Sequence, residues 1–259
     1  MSTVVVVANQ KGGAGKTATA VNLAAVYAEQ GKRVLLVDAD PQANATEHLG
    51  VDPALALSLY DVLVDRGALS VGEVLVQSAF GIDVVPGSLR VAELNIALAV
   101  VAAGQTRLAT VLEEQARDYD VVVIDTQPEL ALLTISALVA ADVVVVPVSA
   151  QDSKSARGYA LLQQTNEKTA PLRRQAPAPL IPLLTRLDRR RILASRMQVT
   201  MEMIGPPAAA QIREYSGIQN STDRQMPLVV LEPDHVVASE YRQAAGAALA
   251  ATAAQEAHR

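Results

Sequence analysis

The sequence has no cysteine, no tryptophan, one phenylalanine and three histidines in 259 residues. Without cysteine there are no disulfides, thiolate zinc sites, cysteine-ligated iron–sulfur clusters or thiol nucleophiles. His48, His235 and His258 are scattered, which argues against a histidine-built metal centre. So few aromatic rings leave few stacking platforms for reading single-stranded nucleic acid. Long apolar runs are missing too: the stretch 131–148 is broken by Asp142, and 96–103 is too short to span a bilayer. The first eight residues are apolar, but no basic segment precedes them as in a signal peptide. The expected compartment is the cytoplasm.

What is present belongs to a globular protein, with 50% hydrophobic and 19% charged residues. The length suffices for a large buried core, and one domain over 1–259 is expected. The net charge of −5 conceals an asymmetry. Residues 1–150 carry 8 Lys and Arg against 17 Asp and Glu, whereas 151–259 carry 14 against 10. Such a division marks either ordinary surface variation or a local polyanion-binding surface.

Short β-branched runs over 3–8, 33–37, 82–85, 121–124, 143–148 and 180–184 read as strands. They are apolar throughout rather than alternating, as strands buried on both faces are. Between them, 17–30, 106–117 and 130–140 are rich in Ala, Leu and Glu and read as helices. The alternation predicts a doubly wound α/β fold, a mostly parallel sheet flanked by helices. Four prolines over 170–182 predict a loop entering a strand, and Gly205-Pro206-Pro207 predicts another break. The alanine-rich tail 239–257 reads as a helix.

The strongest motif is Gln10-Lys11-Gly12-Gly13-Ala14-Gly15-Lys16-Thr17, set between a predicted strand and a predicted helix. Glycines let the backbone curl so that its N–H groups converge on phosphates, and the helix N-terminus adds a favourable dipole. Lys16 is placed to reach the β- and γ-phosphates, and the Thr17 hydroxyl to ligate Mg²⁺. Two apolar strands then end in acids: Asp38 and Asp40 after 34–37, and Asp125 after 121–124. Carboxylates at the carboxyl end of parallel strands lie on the ligand-binding rim. Asp125 fits the role of holding Mg²⁺ through water.

With Gln10 in the first glycine position and Lys11 as a second lysine, the loop resembles the deviant Walker A motif of the ParA/MinD family of P-loop ATPases. Asp38-Ala39-Asp40-Pro41-Gln42 matches the D-x-D-P-Q motif of that family. The resemblance implies ATP and Mg²⁺ as ligands, with hydrolysis to ADP and phosphate, and a homodimer closed around ATP. It implies that Lys11 reaches the partner subunit's nucleotide, that Asp40 orients the attacking water and that Asp38 supports the magnesium shell. Residues 11–18 would form the nucleotide cradle. Ala18 stands where the family often has threonine, and Gln127 replaces the first proline of a D-x-P-P segment.

The second half contains Arg186, Arg189, Arg190, Arg191 and Arg196 against the single acid Asp188, with Arg213 further on. Relatives that bind chromosomal DNA carry arginines just after a matching Leu-Asp pair. The resemblance therefore implies contact with non-specific double-stranded DNA by Arg186, Arg189, Arg190, Arg191 and Arg213, directed at phosphates and weakened by salt. With the chain starting at its first strand, it resembles the short ParA type. That type segregates or positions a plasmid, chromosome region or protein cargo, with a ParB-like or cargo-adaptor protein stimulating hydrolysis, and is nucleoid-associated when ATP-bound. Two other readings stay open: a membrane-recruited regulator of the MinD type, and a metabolic P-loop ligase or kinase. The tail, with one leucine and one tyrosine over 239–259, is a poor membrane anchor, so no membrane partner is expected.

Overall fold

Strand β1 (Thr3–Val7) is a threonine followed by four valines, all four buried. It feeds the glycine-rich loop and helix α1 (Lys16–Glu29). Strand β2 (Val34–Ala39) and the short α2 (Asn44–His48) follow. Then come β3 (Val76–Gln77), β4 (Ile82–Val85), α3 (Leu94–Val100) and α4 (Arg107–Gln115). Next are β5 (Val121–Thr126), α5 (Leu132–Ala140), β6 (Val143–Ser149), α6 (Lys154–Glu167) and β7 (Leu180–Leu187). The chain ends with α7 (Ile192–Ile204), β8 (Ala210–Arg213), α8 (Gly217–Asp223) and α9 (Val236–Glu256). This computed structural model describes residues 2–54, 57–64, 68–152, 154–173, 176–188, 190, 192–204 and 210–256.

The eight strands form one sheet in the order β3-β4-β2-β5-β1-β6-β7-β8, parallel except for the edge pair β3–β4. Apolar runs without alternation are explained by a core on each face. One contains Val122, Ile124 and Val144 with Leu133 and Leu138 of α5. The other contains Val5, Val7, Val121 and Val123 with Val21, Leu23 and Val26 of α1 and Tyr241, Ala244 and Ala245 of α9. Small residues let α9 lie close to α1, and the Tyr27 hydroxyl donates to the Ala245 carbonyl at 3.1 Å.

All six expected strands are present. Strands β3 and β8 were not expected; two and four residues carry too little pattern to mark an edge strand. The loop expected over 170–182 begins with a helical turn, Ala170–Arg173. The Arg173 guanidinium explains it, donating to the carbonyls of Leu138, Val139 and Ala141 at the end of α5, where the helical ladder runs out of donors. The break expected at 205–207 lies outside the described residues.

Candidate active site

The loop between β1 and α1 turns on two glycines with positive φ, Gly13 at 72° and Gly15 at 89°, where any other residue would be strained. Asn9 ties the loop to the sheet. Its Nδ2 donates to the Pro147 carbonyl of β6 at 2.6 Å, and its Oδ1 accepts from the Lys11 N–H at 3.1 Å. Helix α6 presses on this joint through Gly158, where an added Cβ would stand 2.4 Å from Asn9 Oδ1. From the other side the Thr185 hydroxyl of β7 donates to the Ala14 carbonyl at 2.8 Å. Ala18 brings no hydroxyl to the cradle, and its carbonyl accepts from Asn22 Nδ2.

Lys16 is only 7% exposed. Its Nζ donates to the Lys11 carbonyl at 3.2 Å, folding over the loop as a phosphate-binding lysine does. Burial lowers its pKa, opposed by the charges of Asp125 and Asp40. Lys11 points elsewhere, with Nζ 3.1 Å from Asp152 Oδ2. The Asp152 carboxyl is held below its ordinary range by the Lys154 N–H and by Lys11.

Strand register sets Asp38 opposite Asp125 on adjacent β2 and β5. The Thr17 hydroxyl donates to Asp125 Oδ2 at 2.8 Å. The other oxygen, Oδ1, is buried and has no hydrogen-bond partner among the described residues. Burial raises the Asp125 pKa well above the usual carboxylate range, and the Asp38 charge adds to the rise. Asp38 is fully buried and is pushed up to about 6 by burial. Hydrogen bonds oppose that rise: Asp38 Oδ2 accepts from Thr46 N–H at 2.8 Å and Thr46 Oγ1 at 2.7 Å, and Oδ1 accepts from the Asp40 N–H at 3.2 Å. The Gly87 N–H donates to Thr46 Oγ1, and a Cβ at Gly87 would lie 2.9 Å from Asp38 Cγ. Asp40, nearly buried on the loop beyond β2, accepts the Gln42 N–H through Oδ1. Ala43 closes that loop with a strained φ of 53°.

These residues fit a hydrated divalent cation beside a phosphate chain. The donor set is hard oxygen, buried negative charge is in excess, and one carboxylate oxygen is orphaned. Lys16, Thr17, Asp38, Asp40 and Asp125 meet on one rim of the sheet, while the Lys11 side chain turns to Asp152. Sequence reasoning missed Asn9, Thr46, Asp152, Gly158 and Thr185. Each is brought to the rim by the fold.

The basic residues are arranged differently. Arg186 directly follows Thr185, with a strained φ of 54°, and its carbonyl accepts from Gln151 Nε2. Arg190 is 91% exposed, its Nε 3.1 Å from Asp188 Oδ1. Arg213 donates from Nε to Glu240 Oε1 at 2.7 Å. Arg190 and Arg213 line one cleft of about 320 Å³ together with Asp188, Glu214 and Glu240. Arg189 and Arg191 lie outside the described residues.

Residues 2–175 match a protein family described as an AAA domain. The chain is 43% identical over 152 residues to the sporulation initiation inhibitor protein Soj of Bacillus subtilis, covering 58% of this chain and 60% of that one. It is 39% identical over 199 residues to the chromosome-partitioning ATPase Soj of Thermus thermophilus, covering 76% and 74%. The chain belongs to the ParA/MinD family. Among solved structures it resembles cobyrinic acid a,c-diamide synthase from Mycobacterium smegmatis with bound ADP and magnesium, with TM-score 0.79 and 30% identity over 95% of this chain and 93% of that one. Matches to the first of the curated relatives span 52–60% of those proteins' length.

Proposed function

We propose that the chain is a ParA-type ATPase that hydrolyses ATP with Mg²⁺, dimerises around the nucleotide and binds non-specific duplex DNA to segregate or position a cargo. The observation that carries the reading is the rim itself: Lys16 folded over the loop, Thr17 bonded to Asp125, and a buried carboxylate oxygen left for a cation's water. Mg²⁺ supplies charge neutralisation at the phosphates when bound. The loop N–H groups and Lys16 hold the β- and γ-phosphates, Thr17 and Asp125 hold the cation, and Asp38 anchors the loop carrying Asp40 through Thr46. Asp40 orients the attacking water. Lys11 leaves Asp152, an exposed pair of small energetic weight, to meet the partner subunit's nucleotide. Thr185 touches the phosphate loop and is followed at once by Arg186, so nucleotide and DNA ends share one strand. Partner-stimulated hydrolysis by a ParB-like or cargo-adaptor protein then resets the dimer, in the cytoplasm and on the nucleoid.

The test is duplex DNA binding with Mg-ATP, Mg-ADP and no nucleotide over a salt series. Binding with ATP alone that weakens as salt rises is the expected result. Equal binding in all three states removes the nucleotide switch, and no binding removes the DNA half.

The likeness to a diamide synthase favours a second reading, a small-molecule ligase. Such an enzyme consumes ATP only when its acceptor is present, whereas a partition ATPase turns over without one. A MinD-like membrane anchor gains no support from the C-terminal helix. Val237, Tyr241, Ala244 and Ala248 of α9 are buried in the core, and no helix among the described residues is long and apolar enough to cross a membrane.

A further inference from the structure

Just past β5, where glutamine replaces the first proline of the D-x-P-P segment, there is a second unpartnered polar atom. Gln127 stands two positions past Asp125, separated from it by Thr126, whose hydroxyl is used on the Val7 carbonyl. The Gln127 side chain is 7% exposed, and its Nε2 has no hydrogen-bond partner among the described residues. A buried amide donor left unmade destabilises the fold, so such donors are nearly always paired. The neighbouring orphan, Asp125 Oδ1, is an acceptor. One acceptor and one donor, both empty, at the end of the strand that carries Asp125 suit a ligand presenting a hydrated cation and an oxygen anion together.

Strand alternation supports the placement of Asp125. Val121 and Val123 face the core of α1, and Asp125 on the same side meets Thr17 at the start of α1. Gln127 is the first residue beyond β5, on the loop that leaves the sheet directly after the carboxylate that Thr17 holds. Lys16 lies over the glycine-rich loop, with its Nζ on the Lys11 carbonyl.

We infer that Gln127 is a further catalytic residue, its Nε2 donating to an oxygen on the γ-phosphate side of ATP, either a γ-phosphate oxygen or the attacking water. The inference rests on the ATPase reading. Gln127 transfers no proton; it fixes the oxygen while water adds to phosphorus and the bond to ADP breaks. Because ADP lacks the γ-phosphate, the residue acts on ATP alone.

The test compares Gln127→Met, which keeps the shape without the donor, with the wild-type full chain. Single-turnover hydrolysis is expected to fall roughly tenfold to a hundredfold. Mg-ADP affinity stays within about twofold, and the unfolding midpoint of the free protein is unchanged or higher, since the orphan amide is gone. Gln127→Asn, retaining a donor on a shorter arm, recovers part of the rate. A parallel loss of affinity for a non-hydrolysable ATP analogue assigns the bond to the phosphate oxygen; unchanged affinity assigns it to the water. Wild-type hydrolysis in Gln127→Met overturns the inference and leaves the ATPase reading standing. Equal losses of ADP and ATP-analogue affinity with a lowered midpoint overturn it as well, making Gln127 structural. If the wild-type chain hydrolyses no ATP, both readings fall.

Discussion

The acidic rim and the basic edge meet at Thr185, and they are built on opposite principles. On the rim, Lys16, Asp38 and Asp125 are buried, and partners 2.7–3.2 Å away are set by four different elements. At the edge, Arg190 is almost fully exposed and pairs with an acid two residues away, while Arg213 pairs with Glu240. Charges in a low-dielectric rim interact strongly, and removing one leaves another uncompensated. Exposed pairs are weak and screened by salt. The rim is thus fixed in geometry, whereas the ion pairs at the edge are cheap to break.

Breaking the rim gives the largest effects. Lys16→Ala removes the buried ammonium that lies over the glycine-rich loop and is expected to abolish Mg-ATP and Mg-ADP binding, measured by calorimetry. Retention of binding within tenfold would remove Lys16 from the cradle. Asp40→Ala comes next. Its side chain contacts the Gln42 N–H rather than the phosphate loop, so ATP binding persists while hydrolysis falls roughly a hundredfold or more. Normal turnover in that variant would reassign water orientation to another group.

The division also explains what the sequence reveals. Lys16, Thr17, Asp38 and Asp125 are legible because their chemistry needs fixed spacing beside buried strands, and both the spacing and the apolar runs are local. Thr185 reaches Ala14 across 171 residues and Asn9 reaches Pro147 across 138, so no local pattern marks them. Thr46, eight residues after Asp38, is close in sequence but is one threonine among many until the loop folds. At the edge, the arginine run was legible as charge but not as pairing: Asp188 and Glu240 partly occupy it, and Arg173 proves to cap α5.

Reversing charge at the edge gives an intermediate effect and sharpens the contrast. Arg186→Glu with Arg190→Glu is expected to lower duplex affinity more than tenfold near 100 mM salt and to flatten the salt slope by about one to two. ATP-dependent self-association and hydrolysis without DNA stay unchanged. Loss of self-association as well would make these arginines part of the folded framework rather than a phosphate-facing surface.

The smallest expected effect concerns the joint between the two halves away from the rim. His48 ends α2, close to the D-x-D-P-Q loop, yet its ring is buried against the C-terminal half. Its Nε2 lies 3.2 Å from the Met226 carbonyl and 3.4 Å from the Ser221 hydroxyl of α8. Burial lowers its pKa from the ordinary value, with the Met226 carbonyl opposing. Folding therefore selects the neutral ring. Above pH about 6.5 the ring is neutral in folded and unfolded chains alike. As pH falls through that value the unfolded chain takes up a proton that the folded one resists, and stability is lost toward the folded-state pKa. The slope cannot exceed about 1.4 kcal/mol per pH unit for one group. Urea unfolding of wild type and His48→Gln at pH 7.5, 6.5 and 5.5 measures it. The wild type is expected to lose more stability than the variant between pH 6.5 and 5.5, while the two respond alike above 6.5. Parallel curves throughout would mean that the α2–α8 contact does not sense pH and that the two halves are joined by packing alone.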